Sequence, residues 1–185
     1  MSFRLRPCLA RLVAAALCLA GADNACLAEE LVETGGFSLR YDDTVWVRET
    51  SAPPTLLALR CAAPACPPHA VATFLSDERP LPLPGFAAFG PGAATGAMIE
   101  LRIESLTPGS RIRARQPVEP IMLGGATGYR GLYDIEDRAL AKTAAAVALL
   151  RLDNTTLEIR MKADRLTPAD LILFDRLLEK IELKD

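Results

Sequence analysis

The residues of this chain best suited to chemistry stand together in Cys61-Ala-Ala-Pro-Ala-Cys66-Pro-Pro-His69. Two thiolates and an imidazole at that spacing could be three ligands of a zinc or copper ion with open coordination. In an oxidising compartment the same two sulfurs instead form one disulfide. The disulfide is the preferred reading, since no fourth ligand is visible and Pro67-Pro68 stiffens the spacing. His69 is the only histidine, so a Ser-His or Cys-His nucleophile has one candidate base, set in a proline-rich loop.

Other groups offer weaker chemistry. Asp134, Glu136 and Asp137 could supply an acid and a base for hydrolysis, and together with Asp42-Asp43 they are the acidic pieces that calcium would use. No twelve-residue EF-hand pattern surrounds them. Arg111, Arg113 and Arg115 alternate with Ile112 and Ala114, which puts three guanidinium groups on one strand face where a phosphate or carboxylate could sit. The formal net charge of −2 favours a solvated face for them. Gly124-Gly125-Ala126-Thr127-Gly128 resembles a phosphate cradle, but the residues after it alternate like a strand, whereas a cradle needs a helix to receive the anion. No G-x-S-x-G, P-loop or G-x-G-x-x-G pattern occurs. The expectation is therefore no catalytic residue, no metal and no cofactor.

The elements that would position these groups can be read from periodicity. Leu157, Ile159 and Met161 alternate with Glu158, Arg160 and Lys162, which predicts a half-buried strand over 156–162. A helix comes next, with Thr167 as N-cap, Pro168 at the first position, Asp170 in the first turn, and Leu166 and Leu171 placed for a hydrophobic staple. Winding it at about 100° per residue gathers Leu171, Leu173, Phe174, Leu177, Leu178 and Ile181 on one side and leaves Ile172 on the polar side. Further strands are expected at Phe37–Tyr41, with Phe37, Leu39 and Tyr41 inward, and at 45–47, 56–60, 70–75 and 126–135. Residues 144–152 are apolar on both faces, as in a central strand, and Asp153-Asn154 would turn the chain into strand 156–162. Residues 98–105 read as a strand, with a short helix as rival. The Pro/Gly-rich stretch from Glu78 to Gly96 reads as a long loop carrying Phe86 and Phe89, which either pin it to the core or form a lid over a ligand.

Length and composition allow one ordinary domain, and the whole chain need not belong to it. Arg4, Arg6 and Arg11 flank an apolar run from Leu12 to Ala22, with small residues between it and Glu29, which is the layout of a secretory signal peptide. Cleavage is expected after Ala28; a lipoprotein cut before Cys26 is disfavoured by Asp23 where an aliphatic residue is wanted. Removing 1–28 takes away those three arginines and Asp23, moving the formal charge from −2 to −4. That excludes the basic domain a nucleic-acid partner asks for. Cys8, Cys18 and Cys26 leave as well, so a periplasmic or secreted mature domain, 29–185, keeps Cys61 and Cys66, with no stable membrane insertion.

Three places resemble the PsbP-like family, which also includes small bacterial exported proteins and a eukaryotic Ran-release factor. They are Phe37-Ser-Leu-Arg-Tyr-Asp-Asp-Thr-Val-Trp46, Leu123-Gly-Gly-Ala-Thr-Gly-Tyr-Arg130 and Phe174-Asp-Arg-Leu-Leu-Glu-Lys-Ile-Glu-Leu183. The chain departs from the family at Thr44-Val45, where Pro or Gly is common, and at Glu78 to Leu106, where a clear helix is expected. The resemblance implies an α+β fold, an α/β/α sandwich in which the C-terminal helix and a second helix pack on an antiparallel sheet. It also implies a binding or assembly role, and for an exported protein the expected partner is an envelope protein. The competing expectation is a small-ligand protein or hydrolase using a cleft under the 78–96 loop. Mass spectrometry of the protein recovered from its host should give a chain beginning at Glu29, and thiol titration after unfolding without reductant should find no free thiol. Retention of residues 1–28 in a cytoplasmic fraction, or two free thiols, would overturn the corresponding expectation.

Overall fold

The computed structural model of the protein describes residues 29–77, 109–152 and 155–184. Among these, the chain runs β1 (Glu29–Glu33), β2 (Phe37–Asp42), β3 (Trp46–Glu49), β4 (Thr55–Cys61), β5 (Val71–Asp77), β6 (Arg111–Ala114), β7 (Glu119–Leu123), β8 (Ala126–Glu136), β9 (Lys142–Arg151), β10 (Thr156–Ala163), α1 (Pro168–Leu178) and β11 (Ile181–Leu183). The fold is α+β: antiparallel sheet with one C-terminal helix among the described residues. The larger sheet has the order β3-β4-β5-β10-β9-β8-β6, with β7 also on β8, and the smaller has the order β1-β2-β11.

Alternation explains what faces what. Leu157, Ile159 and Met161 of β10, Leu57 and Leu59 of β4, Phe74 of β5 and Leu150 of β9 are at most 1% exposed and form one core cluster with the helix and the small sheet. Phe37 of β2 stacks on Phe74 with ring centroids 5.4 Å apart, fastening the small sheet to the large one. The other face of the large sheet carries a second cluster built on Tyr129, Tyr133, Ile135, Ala145, Val147 and Leu149.

Strand β10 is not the half-buried strand its sequence predicts. Glu158 is 1% and Arg160 8% exposed, and their side chains pair at 2.7 Å. The reason is position: β10 lies between β5 and β9, and Glu158 and Arg160 stand opposite Leu149 and Val147 on the face that carries the second cluster. Alternating charge marks a face as polar in chemistry and not as exposed, and here the two buried charges are paired with each other. Residues 144–150 are buried throughout, as a central strand requires. Asp153-Asn154 and the strand or helix at 98–105 lie outside the described residues.

The helix begins as expected. The Asp170 carboxylate accepts from the Thr167 amide at 2.6 Å and from its hydroxyl at 2.7 Å. Phe174, Leu177 and Leu178 are buried, and Ile172 is 56% exposed. Its end differs: α1 stops at Leu178, and Ile181 opens β11 opposite Leu39 of β2. The apolar spacing runs on because a residue three beyond Leu178 serves equally as the next helical core position and as the first inward residue of a docking strand. Truncating Phe174 to Ala should lower stability by about 2–5 kcal/mol, and Thr167→Ala by about 1 kcal/mol, in chemical denaturation. Equal small losses would mean that the helix does not dock through Phe174.

Candidate functional site

The arginine stripe of β6 opens onto a groove of about 460 Å³. Strand pairing builds it. In the β6–β8 register Arg111 faces Glu136 and Arg113 faces Asp134, and in the β8–β9 register Glu136 faces Lys142. Alternation sends Arg111 and Arg113 to the same side, with Arg115 continuing the stripe just past the strand. Asp164, just beyond β10, closes the rim and brings His69 with it, the imidazole Nδ1 lying 2.8 Å from its carboxylate.

The charges in the groove are not paired as the register alone would pair them. The Arg115 Nε donates to Asp134 at 2.6 Å, while its terminal nitrogen donates to the Leu166 carbonyl at 2.6 Å. Arg115 is thus held at two points, and Asp134 is taken. Among the described residues no ion pair engages Arg111, Arg113, Lys142 or Glu136. The exposed face expected for the stripe holds for Arg111, Arg113 and Arg115, of which Arg115 is in addition ion-paired.

The remaining candidates separate. Cys61 and Cys66 are bonded, with sulfurs 1.98 Å apart and Cα atoms 5.7 Å apart, so neither offers a thiolate to a metal. Cys61 ends β4 and Cys66 lies inside the β4–β5 loop. Asp137 is committed to a turn, its carboxylate accepting from the Ala139 and Ala141 amides at 2.8 and 2.9 Å. Gly124 and Gly125 adopt φ of 53° and 84° at the turn between β7 and β8, which is a hairpin and not a phosphate cradle. A Cβ at Gly128 would lie 2.1 Å from the Leu149 carbonyl oxygen, so that glycine serves close strand packing. Phe86 and Phe89 lie outside the described residues.

A second hollow of about 250 Å³ lies where the small sheet meets the helix, floored by Trp46 and Leu173 and rimmed by Arg40, Arg176 and Lys180. Lys180 is tied to Glu29 at 2.8 Å. Tyr41 lines the same hollow, and burial, then the nearby Glu30 carboxylate, raises its phenol above the usual value.

Sequence reasoning missed Arg130, although it ends the second of the three quoted motifs. Its guanidinium donates to Asp175 of α1 and, at 2.7 Å, to Glu119 of β7. The hydrogen bond to Asp175, and then the one to Glu119, raise its pKa against the opposing effect of burial. An arginine among the small residues of a strand that packs under a helix was the available signal.

By sequence, no protein-family model and no curated protein matches the chain. By structure it has the PsbP-like fold. It is similar to cyanobacterial PsbP (CyanoP) from Synechocystis sp. PCC 6803, with a TM-score of 0.58 and 12% identity over 90% of this chain and 99% of that one. It is similar also to the Ran-binding protein Mog1p of Saccharomyces cerevisiae, with a TM-score of 0.59 and 11% identity over 86% of this chain and 97% of that one. No helix among the described residues is long and apolar enough to cross a membrane.

Because Arg130 joins β8, β7 and α1 in one partly buried network, Arg130→Met should cost about 1–2 kcal/mol in urea denaturation. Glu119→Gln, at a half-exposed position, should cost under about 1 kcal/mol. Equal losses would place the network's strength at the exposed pair and not at Asp175.

Proposed function

We propose that the protein is an exported, non-catalytic binding or assembly factor that works on a protein of the cell envelope. The observation that carries this reading is the use made of its carboxylates: Asp134 is paired with Arg115 and Asp137 is spent on a turn, so two of the three groups proposed for acid/base work have structural duties. The fold adds support, since it is shared over nearly the whole length of a protein described as Ran-binding. In this reading residues 1–28 are a removed signal peptide, 29–185 form one domain, and the protein is periplasmic or secreted with a Cys61–Cys66 disulfide suited to that compartment. The sheet is completed as an α/β/α sandwich, with a second helix over the face that bears Tyr129, Tyr133 and Val147. A net negative mature chain fits a protein partner and not a nucleic acid.

Cross-linking in intact cells, with purification of the tagged protein from the envelope fraction, should recover one envelope protein reproducibly. Loss of that partner on mutating surface residues, with stability unchanged, would establish the interaction. No partner, together with a small metabolite that raises the melting temperature reproducibly, would sink this reading and promote the cleft under the 78–96 loop.

A further inference from the structure

We propose that the groove over β6 binds a ligand through one oxyanion group, a carboxylate or a phosphate, held between Arg111 and Arg113 with Lys142 beside it. The register is the starting point. Arg113 lies directly across from Asp134, and opposite charges placed so on an antiparallel pair would ordinarily join. Here Asp134 pairs with Arg115 instead, and Arg115 is held there by its second hydrogen bond to the Leu166 carbonyl. Arg113 is left without its cross-strand partner. Arg111 faces Glu136, which has Lys142 on its other side, so one carboxylate stands between two cations and is paired with neither.

The resulting charge balance favours an anion. Once Arg115 and Asp134 cancel, the groove holds Arg111, Arg113 and Lys142 against Glu136 and Asp164. That is an excess of one positive charge, in a chain whose formal net charge is −2. Residues two apart on a strand have Cα atoms about 6.6–6.8 Å apart, a separation at which two guanidinium forks can converge on the oxygens of a single oxyanion. A volume of about 460 Å³ leaves room for the rest of a small ligand. Glu136 and Asp164 would repel a second anionic group, which limits the ligand to one oxyanion and favours a neutral or cationic remainder.

This inference does not rest on the envelope-partner reading, and either can fail without the other. The test is titration of the purified protein with inorganic phosphate and, separately, with acetate and glycine at constant ionic strength. Arginine side-chain Nε–Hε resonances and melting temperature are monitored. The expected result is saturable movement of the Arg111 and Arg113 signals with at least one probe. Arg113→Gln should weaken that binding about tenfold or more, Arg113→Lys should retain part of it, and Arg176→Gln, on the far hollow, should leave it unchanged. A response to phosphate alone assigns a phosphate ligand; a response to acetate and glycine assigns a carboxylate. No saturable response to any probe, or equal weakening by Arg113→Gln and Arg176→Gln, would overturn the site. Because Arg113 and Arg176 are exposed, all three variants should fold, and unchanged denaturation midpoints verify this.

Discussion

The position of β10 is the constraint on which the rest of the structure depends. One of its faces presents Leu157, Ile159 and Met161 to the main core, and the other holds the Glu158–Arg160 pair, almost wholly buried, against the second cluster. A slip of one residue would exchange the faces and drive both charges into the apolar core. Leaving either charge buried and unpaired costs several kcal/mol, so the wrong register is excluded energetically and not merely disfavoured. The neighbours that β10 holds come from opposite parts of the chain: Val71–Asp77 on one side and Lys142–Arg151 on the other. A strand specified on both faces can therefore organise pairings that loop closure alone makes costly.

From β10 the chain goes directly into the elements that close the small sheet. Leu166, Phe174, Leu177 and Leu178 cover the apolar face of the large sheet, and β11 then turns Ile181 onto Leu39 of β2. The N-terminal hairpin β1–β2 is thus completed by the C-terminal strand, with the Phe37–Phe74 stack as the bolt between sheets. The Gly124 turn packs against Leu183, where an added Cβ would lie 3.3 Å from that side chain. The β7–β8 hairpin, the helix and β11 accordingly stand or fall together, with Arg130 bridging the first two.

Much of this is legible in the sequence because burial and alternation coincide at Phe37, Leu39 and Tyr41, at 144–150 and at Leu157, Ile159 and Met161. The helix start is legible because Thr167, Pro168 and Asp170 act locally. The features that escape sequence reasoning depend on partners distant in the chain. Strand β1 is acidic and buries only Val32, β7 contains Pro120, and β11 is three residues long; none has a period of its own, and each exists because a neighbour offers an edge. The Glu158–Arg160 pair looks like a solvated face in sequence because alternation reports polarity and not exposure. The site is half legible: the arginines of β6 are visible as a stripe, but Lys142 and Asp164 reach the groove only through pairings and turns made elsewhere.

At 11–12% identity the fold is shared and the side chains are not, so the chemistry of the groove belongs to this chain and must be judged on its own geometry. A charged edge strand has a structural use, since arginines on β6 discourage pairing with another chain. That use explains Arg111 and Arg113 as exposed charges. It does not require that they overlook a cavity, nor that Asp134 be drawn from Arg113 to Arg115, nor that Arg115 be fixed by the Leu166 carbonyl at the entrance to the helix. Edge protection would be served as well by Arg113 paired across the strand to Asp134. The arrangement found gives up that pairing and leaves a guanidinium facing open space, a distinction that separates a surface built to repel other strands from one built to receive an anion.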